Sequence, residues 1–323
     1  MKKTLILINK ISENPTQDEL DVLDQAAVVE DALKQLGFDT FRQFVDLDFL
    51  RTKNMLLSLQ PDVVFNLVEG VDNRADLIFL PTALLESLKI PYTGGRLHSM
   101  YLTSNKVLAK ERMKALDLPT AEWFLPRDLD KLDPAKRYIV KPIWEDASVD
   151  IDDHVIFMGS DQGLTRYLNG SPQKKVFVEE YIEGREFNIS VLGGTQGPEV
   201  LPPAEMTFNG YPEGKPKIVG YRAKWDESTF EYQNSERTFN FEPKDAILLD
   251  KLKALCIKCW HGFDLKGYVR VDFRVNLDNE PFILEINSNP CISPDAGFYV
   301  AARRAGYTFT EVIQRILDDA VSN

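Results

Sequence analysis

The sequence predicts an α/β protein built as one parallel α/β unit followed by two α+β units. Two short apolar runs, residues 4–8 and 63–68, alternate with helical patterns at about 18–36 and 81–88, the order that builds a parallel layer. A strand-rich stretch with Gly-Pro turns covers about 186–240. An alternation of polar and apolar residues at 268–287 then reads as a hairpin, because successive strand side chains point to opposite faces.

Each element has its own signal. The run 5–8 is too short for a signal peptide despite Lys2 and Lys3, and Asn9 and Lys10 end it, so it reads as a first strand. The first helix stops at Gly37, a common C-terminal stop. Pro61 and Asp62 introduce the second strand, and the first unit ends near Pro91-Tyr92-Thr93-Gly94-Gly95. Ser104 is the expected N-cap of a helix running to Leu116. Residues 138–141 and 175–181 are strands, 243–261 is a long helix, and helices at about 297–305 and 310–320 close the chain. The expected domains are 1–97, 98–178 and 179–323.

The chain has 323 residues, a length that suggests two or three domains, and its 44% apolar and 27% charged content is that of a globular protein. Its formal charge of −12 argues against a nucleic-acid partner, whose phosphates demand a basic surface. ATP stays open, since a few local lysines and a metal suffice for it. No apolar run approaches the roughly 18–20 residues of a membrane helix. Cys256, Cys259 and Cys291 fit a reducing compartment without a disulfide framework, so the expected location is the cytoplasm. Cys256 and Cys259 lie near His261, but the segment has the helical pattern Ile247, Leu248, Leu252, Leu255, Cys259 and no second ligand pair. Buried thiols are a better reading than zinc.

The hairpin carries the chemistry. Val269, Val271, Phe273 and Val275 share one face, and Arg270, Asp272 and Arg274 the other. On the return strand, Phe282, Leu284 and Ile286 point away from Ile283, Glu285 and Asn287. A two-residue turn at Asp278-Asn279 sets Asp272 opposite Glu285 and Arg270 opposite Asn287. Opposed carboxylates repel unless a cation lies between them. Asp, Glu and Asn oxygens suit Mg²⁺, which takes one or two carboxylates plus substrate phosphate oxygens. The spacing thus points to a Mg-nucleotide site with an arginine beside it. It is also compatible with a solvated face on which Arg270 and Arg274 neutralise Asp272.

Arg270-Val271-Asp272, followed by Glu285-Ile286-Asn287-Ser288-Asn289-Pro290, resembles the metal signature of ATP-grasp ligases, nearest the D-alanine–D-alanine ligase branch. The likeness runs from about Asp62 to the C-terminus. It implies an ATP-grasp fold with an N-terminal Rossmann-like parallel-sheet domain and two α+β domains enclosing the nucleotide. It implies an ADP-forming carboxylate–amine ligase working through an acyl phosphate, with ATP and two Mg²⁺ ions, or Mn²⁺ in their place. By this resemblance Asp272 and Glu285 hold the metal, with Asn287 on the second ion, and Arg270 contacts the transferred phosphate. Lys106 and Lys141 bind phosphates, Lys224 reaches the γ-phosphate, and Ser148 contacts phosphate. The run 176–187 resembles the adenine hinge, where Glu179, Glu180 and Ile182 line the adenine and Glu186 binds the ribose. The N–H of Cys291 steadies the oxyanion, and its thiol is not a nucleophile. Loops at about 144–153 and 208–222 close over the site, with Gly210, Gly214 and Gly220 as hinges. The partners implied are a small carboxylate and a small amine, without nucleic acid or membrane, and a homodimer is compatible with them.

Four departures touch substrate pockets rather than ATP chemistry. Asn9-Lys10-Ile11-Ser12-Glu13 stands where those ligases carry Gly-Gly-x-Ser-x-Glu, with Glu13 as the nearest stand-in. The loop after Lys141 lacks glycine and has Ala147 for a serine. Trp225 replaces a tyrosine, and Ala296 falls where a serine would bind the second substrate's carboxylate. A site whose hydrogen-bonding partners change rejects the old substrate, so substrates other than D-alanine are expected. Glu69, at the end of a first-unit strand, is a candidate for a substrate amino group. Asp295 is either an ammonium partner or a helix N-cap. Two alternatives stand: a true D-alanine–D-alanine ligase of cell-wall synthesis, and a nucleotide-binding regulator that has lost catalysis.

Overall fold

The computed structural model describes residues 2–146, 148–170 and 175–321. Strands β1 (Lys3–Asn9), β2 (Asp39–Val45) and β3 (Val63–Asn66) form a parallel sheet in the order β2-β1-β3. Helices α1 (Gln17–Gln35) and α2 (Phe49–Leu59) make the crossovers that parallel strands require, and α3 (Leu80–Ser87) follows. The sequence analysis missed β2 and α2. β2 is an edge strand with several exposed side chains, and α2 leaves Leu50 and Leu57 exposed, so neither shows a clean apolar period.

The helix expected from Ser104 to Leu116 is α5 (Lys106–Ala115), and a separate helix that the sequence analysis missed, α4 (Leu97–Ser104), precedes it. Asn105 between them is extended at φ −95°, and its side chain accepts the Leu108 N–H at 2.9 Å. Asn105, not Ser104, is therefore the N-cap, and asparagine caps as well as serine. Strands β4 (Trp123–Phe124), β5 (Arg137–Pro142), β6 (Ile156–Met158) and β7 (Val176–Glu180) form an antiparallel sheet, with α6 (Gln162–Gly170) packed on it through Leu164.

The largest sheet contains β8 (Arg185–Leu192), β9 (Glu199–Val200), β10 (Ala204–Phe208), β11 (Ser235–Thr238), β12 (Tyr268–Val275) and β13 (Pro281–Asn287). Its order is β11-β10-β8-β12-β13, with β9 beside β8. Short helices α7 (Tyr221–Trp225) and α8 (Phe230–Asn234) precede β11. The long helix α9 (Ala246–Gly262) covers one face, packing Leu252, Cys256 and Cys259 against Val269, Val271 and Phe273. Both thiols are buried and free, as their helical spacing implies.

The chain then returns to its start. Helices α10 (Gly297–Arg304) and α11 (Phe309–Val321) place Phe298, Ala301, Ile313 and Ile316 in one core with Ile6, Val22, Val29 and Phe65. Asn289 accepts the Gly95 N–H at 3.0 Å and donates to the Asn66 carbonyl at 3.2 Å. Gly94, at φ +86°, leaves the room Asn289 needs. Both ends of the chain build this core.

Candidate active site

The hairpin register sets Asp272 opposite Glu285 and Arg270 opposite Asn287, the pairs expected from the sequence. The route to those pairs differs. Asn276 N–H bonds the Glu280 carbonyl at 3.0 Å, so the turn has three residues, Leu277, Asp278 and Asn279, with Asn279 at φ +59°. That turn pairs Phe273 with Ile283, and the register then shifts so that the extra residue Leu284 forms a bulge before Glu285. The bulge also corrects the expected alternation. Ile283 and Ile286 both reach the core, whereas Phe282 and Leu284 are partly exposed. An inserted residue reverses the facing of everything beyond it.

The charged face of the hairpin is densely bonded. Arg270 donates from Nε and Nη2 to the two oxygens of Asp272, each at 2.8 Å. Asn188, across on β8, donates to Asp272 Oδ1 at 2.9 Å. Asn287 Nδ2 lies between the carboxylates, 3.2 Å from Asp272 Oδ2 and 3.4 Å from Glu285 Oε1. Lys106 Nζ is 3.6 Å from Glu285 Oε2. Burial would raise the Glu285 carboxyl, but Lys106, Lys224, Arg270 and Lys141 outweigh it and hold the pKa at about 2. Lys224, on α7, faces the same ground. Burial and Arg270 lower its pKa, against Glu285, Asp272 and Glu186, and it has no ion-pair partner among the described residues.

The lysine side is equally crowded. Lys106 opens α5 and donates to the Glu145 carbonyl and Asp146 Oδ1, both at 2.7 Å. Lys141 on β5 and Lys110 on α5 both pair with Glu179, which is fully buried. The side chain of Glu179 thus braces two lysines. Lys110 was missed by the sequence analysis, although it lies one helical turn beyond Lys106 on the same face. Glu180 pairs with Lys136 at 2.9 Å. Arg274 donates to the Ile182 carbonyl at 3.0 Å and to Glu186 at 3.3 Å, while burial raises the Glu186 carboxyl.

The two loops expected to close over the site touch each other. Ser148, at φ +60°, donates its hydroxyl to the Val219 carbonyl at 2.8 Å. Tyr221 N–H bonds the Ile151 carbonyl at 2.9 Å, and Lys215 pairs with Asp153. Gly210 and Gly214 have positive φ, as hinges can. Gly220 is at φ −78°, an ordinary value, and a Cβ there would lie 2.5 Å from the Ile151 carbonyl. It is a glycine of close contact, not of backbone freedom. Ala147 lies outside the described residues.

Beside these loops is a cleft of about 650 Å³ lined by Glu19, Glu69, Glu145, Asp146, Asp150 and Tyr221 among others. Glu69 accepts from Gln25 Nε2 at 2.8 Å. Cys291 donates its thiol to Asp21 Oδ2 at 2.9 Å, and the Ser293 hydroxyl donates to Asp21 Oδ1 at 2.8 Å. Burial, Asp21 and Glu69 push the Cys291 thiol up, so it stays protonated and non-nucleophilic. Asp21 gave no sequence signal, since one acid on a helix face looks like any solvated charge. Glu13 lines a separate hollow with Lys10, Asp46 and Asp48, whereas Glu19, bonded to Ser12 at 2.6 Å, lines the cleft. Asp295 is exposed and is not the N-cap of α10. Ala296 holds that position without a side-chain cap bond, because the chain becomes helical one residue later than the spacing suggested.

The family described as "D-ala D-ala ligase C-terminus" matches residues 138–318. The chain belongs to the D-alanine–D-alanine ligase family of ATP-grasp enzymes. A D-alanine–D-alanine ligase of Aquifex aeolicus is 28% identical over 305 residues, covering 91% of this chain and 94% of that protein. An uncharacterised Sinorhizobium fredii protein, y4sG, is 29% identical over 296 residues, covering 90% of this chain and 85% of that one. The fold matches the D-alanine–D-alanine ligase of Bacillus anthracis complexed with ATP, with a TM-score of 0.76 at 17% identity over 99% of this chain and 98% of that one. It matches the D-alanyl-alanine synthetase A of Vibrio cholerae with a TM-score of 0.76 at 18% identity over 99% of each. As an ATP-grasp family member, the chain is an ADP-forming ligase.

The donor set of this ATP-grasp site fits a hard cation. Among the described residues no three His, Cys, Asp or Glu side chains gather as a metal site, so the hairpin offers two carboxylates and one amide. That suits Mg²⁺, which completes its shell with water and phosphate oxygens. The amide N–H₂ of Asn287 occupies the place between the carboxylates that a cation would take, and a half-turn of that amide presents its oxygen instead.

Proposed function

We propose that this ATP-grasp ligase activates the carboxylate of a small amino-acid-like substrate as an acyl phosphate and passes the acyl group to the amine of a second substrate. Lys224 carries the reading. It is a partly buried lysine without an ion-pair partner among the described residues, close enough to Arg270 and to the paired acids Asp272 and Glu285 to feel their charges. A cation held in that way fits a phosphoryl group in transfer better than it fits a structural ion pair.

Lys106, Lys141 and Lys224 spread the charge of the phosphates while the carboxylate oxygen attacks the γ-phosphorus and ADP leaves. Asp272, Glu285 and Asn287 would hold Mg²⁺, which when bound would neutralise further phosphate charge. Arg270 and the Cys291 N–H steady the oxyanion as the amine attacks, and phosphate departs. Glu180 and Ile182 flank the adenine, Glu186 meets the ribose, and Glu179 keeps Lys141 in place. The joined loops, with Ser148 among them, exclude water that would hydrolyse the acyl phosphate. Glu69 faces the substrate's amino group. Asp295 is too exposed for that role. The need for ATP sets the reaction in the cytoplasm, and no helix among the described residues is long and apolar enough to cross a membrane.

A second reading, in which both substrates are D-alanine, is favoured by the names of the relatives. Phosphate release with Mg-ATP, screened over amino acids of both hands, separates the two. D-alanyl-D-alanine as the preferred product decides for the second reading, and any other preferred product for the first. If nucleotide binds but ADP forms with no pair, both fail and the silent-regulator alternative takes their place.

A further inference from the structure

Arg274 takes no part in the proposed phosphoryl and acyl transfer, yet it is only 4% exposed. It stands two residues along β12 from Asp272, on the same strand face. Across the sheet it pairs with Glu186 on β8, as Asp272 pairs with Asn188. Two strand residues span roughly 7 Å. That step leads from the proposed metal acid toward the hinge, the direction in which the sugar of a nucleotide follows its phosphates.

Two of the three guanidinium nitrogens are taken. Nε donates to the Ile182 carbonyl at 3.0 Å. Nη1 donates to the Lys217 carbonyl at 2.7 Å and to Glu186 Oε2 at 3.3 Å. Nη2 is buried and has no hydrogen-bond partner among the described residues. In the planar fork of a guanidinium, Nη2 shares one edge with Nε and the other with Nη1. The open donor is therefore flanked by the hinge carbonyl on one side and by Glu186 and the 208–222 loop on the other. That loop is pinned here from both sides of one residue, because the Lys217 N–H donates to the Tyr181 hydroxyl at 3.2 Å. The Tyr181 ring in turn lies 5.5 Å from Arg274 Cζ.

A buried donor left open is costly unless a ligand meets it. Among the groups of a nucleotide, the ribose meets both neighbours at once. Arginine can only donate, and an ionised glutamate can only accept. A hydroxyl does both, donating to the carboxylate and accepting from the guanidinium. The amino group of the base has nothing for Arg274, and its ring nitrogens have nothing for Glu186. The phosphates belong at the lysine end, where Lys106, Lys224 and Lys141 act on Glu285.

We propose that Arg274 binds the nucleotide directly, its Nη2 donating to a ribose hydroxyl that Glu186 also holds. One side chain then joins the sugar, the hinge carbonyl and the closing loop. This rests on the nucleotide site of the ligase reading and not on its amide-forming step.

The test reads binding, so it does not depend on knowing the substrates. Titration calorimetry in Mg²⁺ compares ADP with its 2′-deoxy and 3′-deoxy analogues. The wild-type enzyme should bind ADP at least tenfold more tightly than one of the two, the loss expected for a hydroxyl held by charged groups. Arg274→Met should weaken ADP binding and cut that preference to threefold or less. Arg274→Lys, which keeps a charged donor, should retain part of it, and equal melting temperatures show that both variants fold. Added to Glu186→Ala, Arg274→Met should weaken ADP binding further and leave the disfavoured deoxy analogue unchanged. If the double variant binds ADP as Glu186→Ala does, Arg274 acts only through Glu186 and the contact is overturned. A wild-type enzyme without preference, or an Arg274→Met enzyme that loses ADP and both analogues equally, also overturns it, since a purely structural arginine gives that result. Wild-type enzyme that binds no adenine nucleotide overturns the nucleotide site and this inference with it. Binding without turnover on any acid and amine pair overturns the ligase reading alone.

Discussion

Arg270 grips Asp272 from two positions away on the same strand face, through a pair of parallel hydrogen bonds of 2.8 Å. The acid proposed to hold the metal is therefore already paired with a guanidinium. A cation must share Asp272 with a guanidinium, which weakens binding until phosphate oxygens join the shell. Mg²⁺ alone should bind weakly, and at least tenfold more tightly with ADP or ATP present, as titration calorimetry would read. Asp272→Asn should lower phosphate release at least a hundredfold at any Mg²⁺ concentration. Normal turnover by that variant would remove the hairpin from the metal site.

Glu179 is sealed between Lys110 and Lys141. Lys110→Met leaves the acid with one partner. Breaking a buried pair from one side costs about 3–5 kcal/mol, measurable by urea unfolding at pH 7. The sign of the pH dependence follows from the carboxyl. Burial alone would raise its pKa, but Lys110 and Lys141 outweigh that and lower it. Its stabilisation is complete above the unfolded value of about 4.3 and is lost as pH falls through the lowered folded value. In Lys110→Met the carboxyl protonates earlier on acidification, so the gap to wild type should narrow below about pH 4.5. A gap that stays constant to pH 3 would contradict an ionised Glu179.

Gly220 sits where the loops meet, with no room for a methyl group beside the Ile151 carbonyl. Its φ is ordinary, so Gly220→Ala strains the contact and not the backbone. The variant should melt within about 2 °C of wild type, yet turn over at least tenfold more slowly and hydrolyse more ATP per amide formed. Unchanged coupling of ATP use to product would show that the contact between the loops does not protect the intermediate.

Cys291 is half-buried against Asp21 and carries a thiol raised well above the usual range. Alkylation by iodoacetamide should be slow at pH 8 and rise with a midpoint above 9, later than the ~8.5 of a free thiol. Cys291→Ser keeps a donor toward Asp21 and should retain activity within about fivefold. A loss of a hundredfold or more would give the sulfur a part in the reaction.

What could be read without coordinates was whatever neighbouring residues decide among themselves. The polar–apolar alternation of Arg270 to Val275 marked a strand, and the spacing of Leu252, Cys256 and Cys259 marked a helix that buries its thiols. The opposition of Asp272 and Glu285 was also legible, although a three-residue turn and the Leu284 bulge produce it rather than a two-residue turn. Those two features shift the register in opposite senses and cancel, which local turn chemistry could not reveal. Partnerships between distant segments were not legible at all. Asp21 meets Cys291 from 270 positions away, Lys110 meets Glu179 across two elements, and Arg237 reaches the Asp295 carbonyl at the start of α10. A lysine, an aspartate or an arginine on an amphipathic segment looks solvated until a second surface covers it. Only the packing of one sheet against another decides which charges lose their water, and hence which of them need a partner or a ligand.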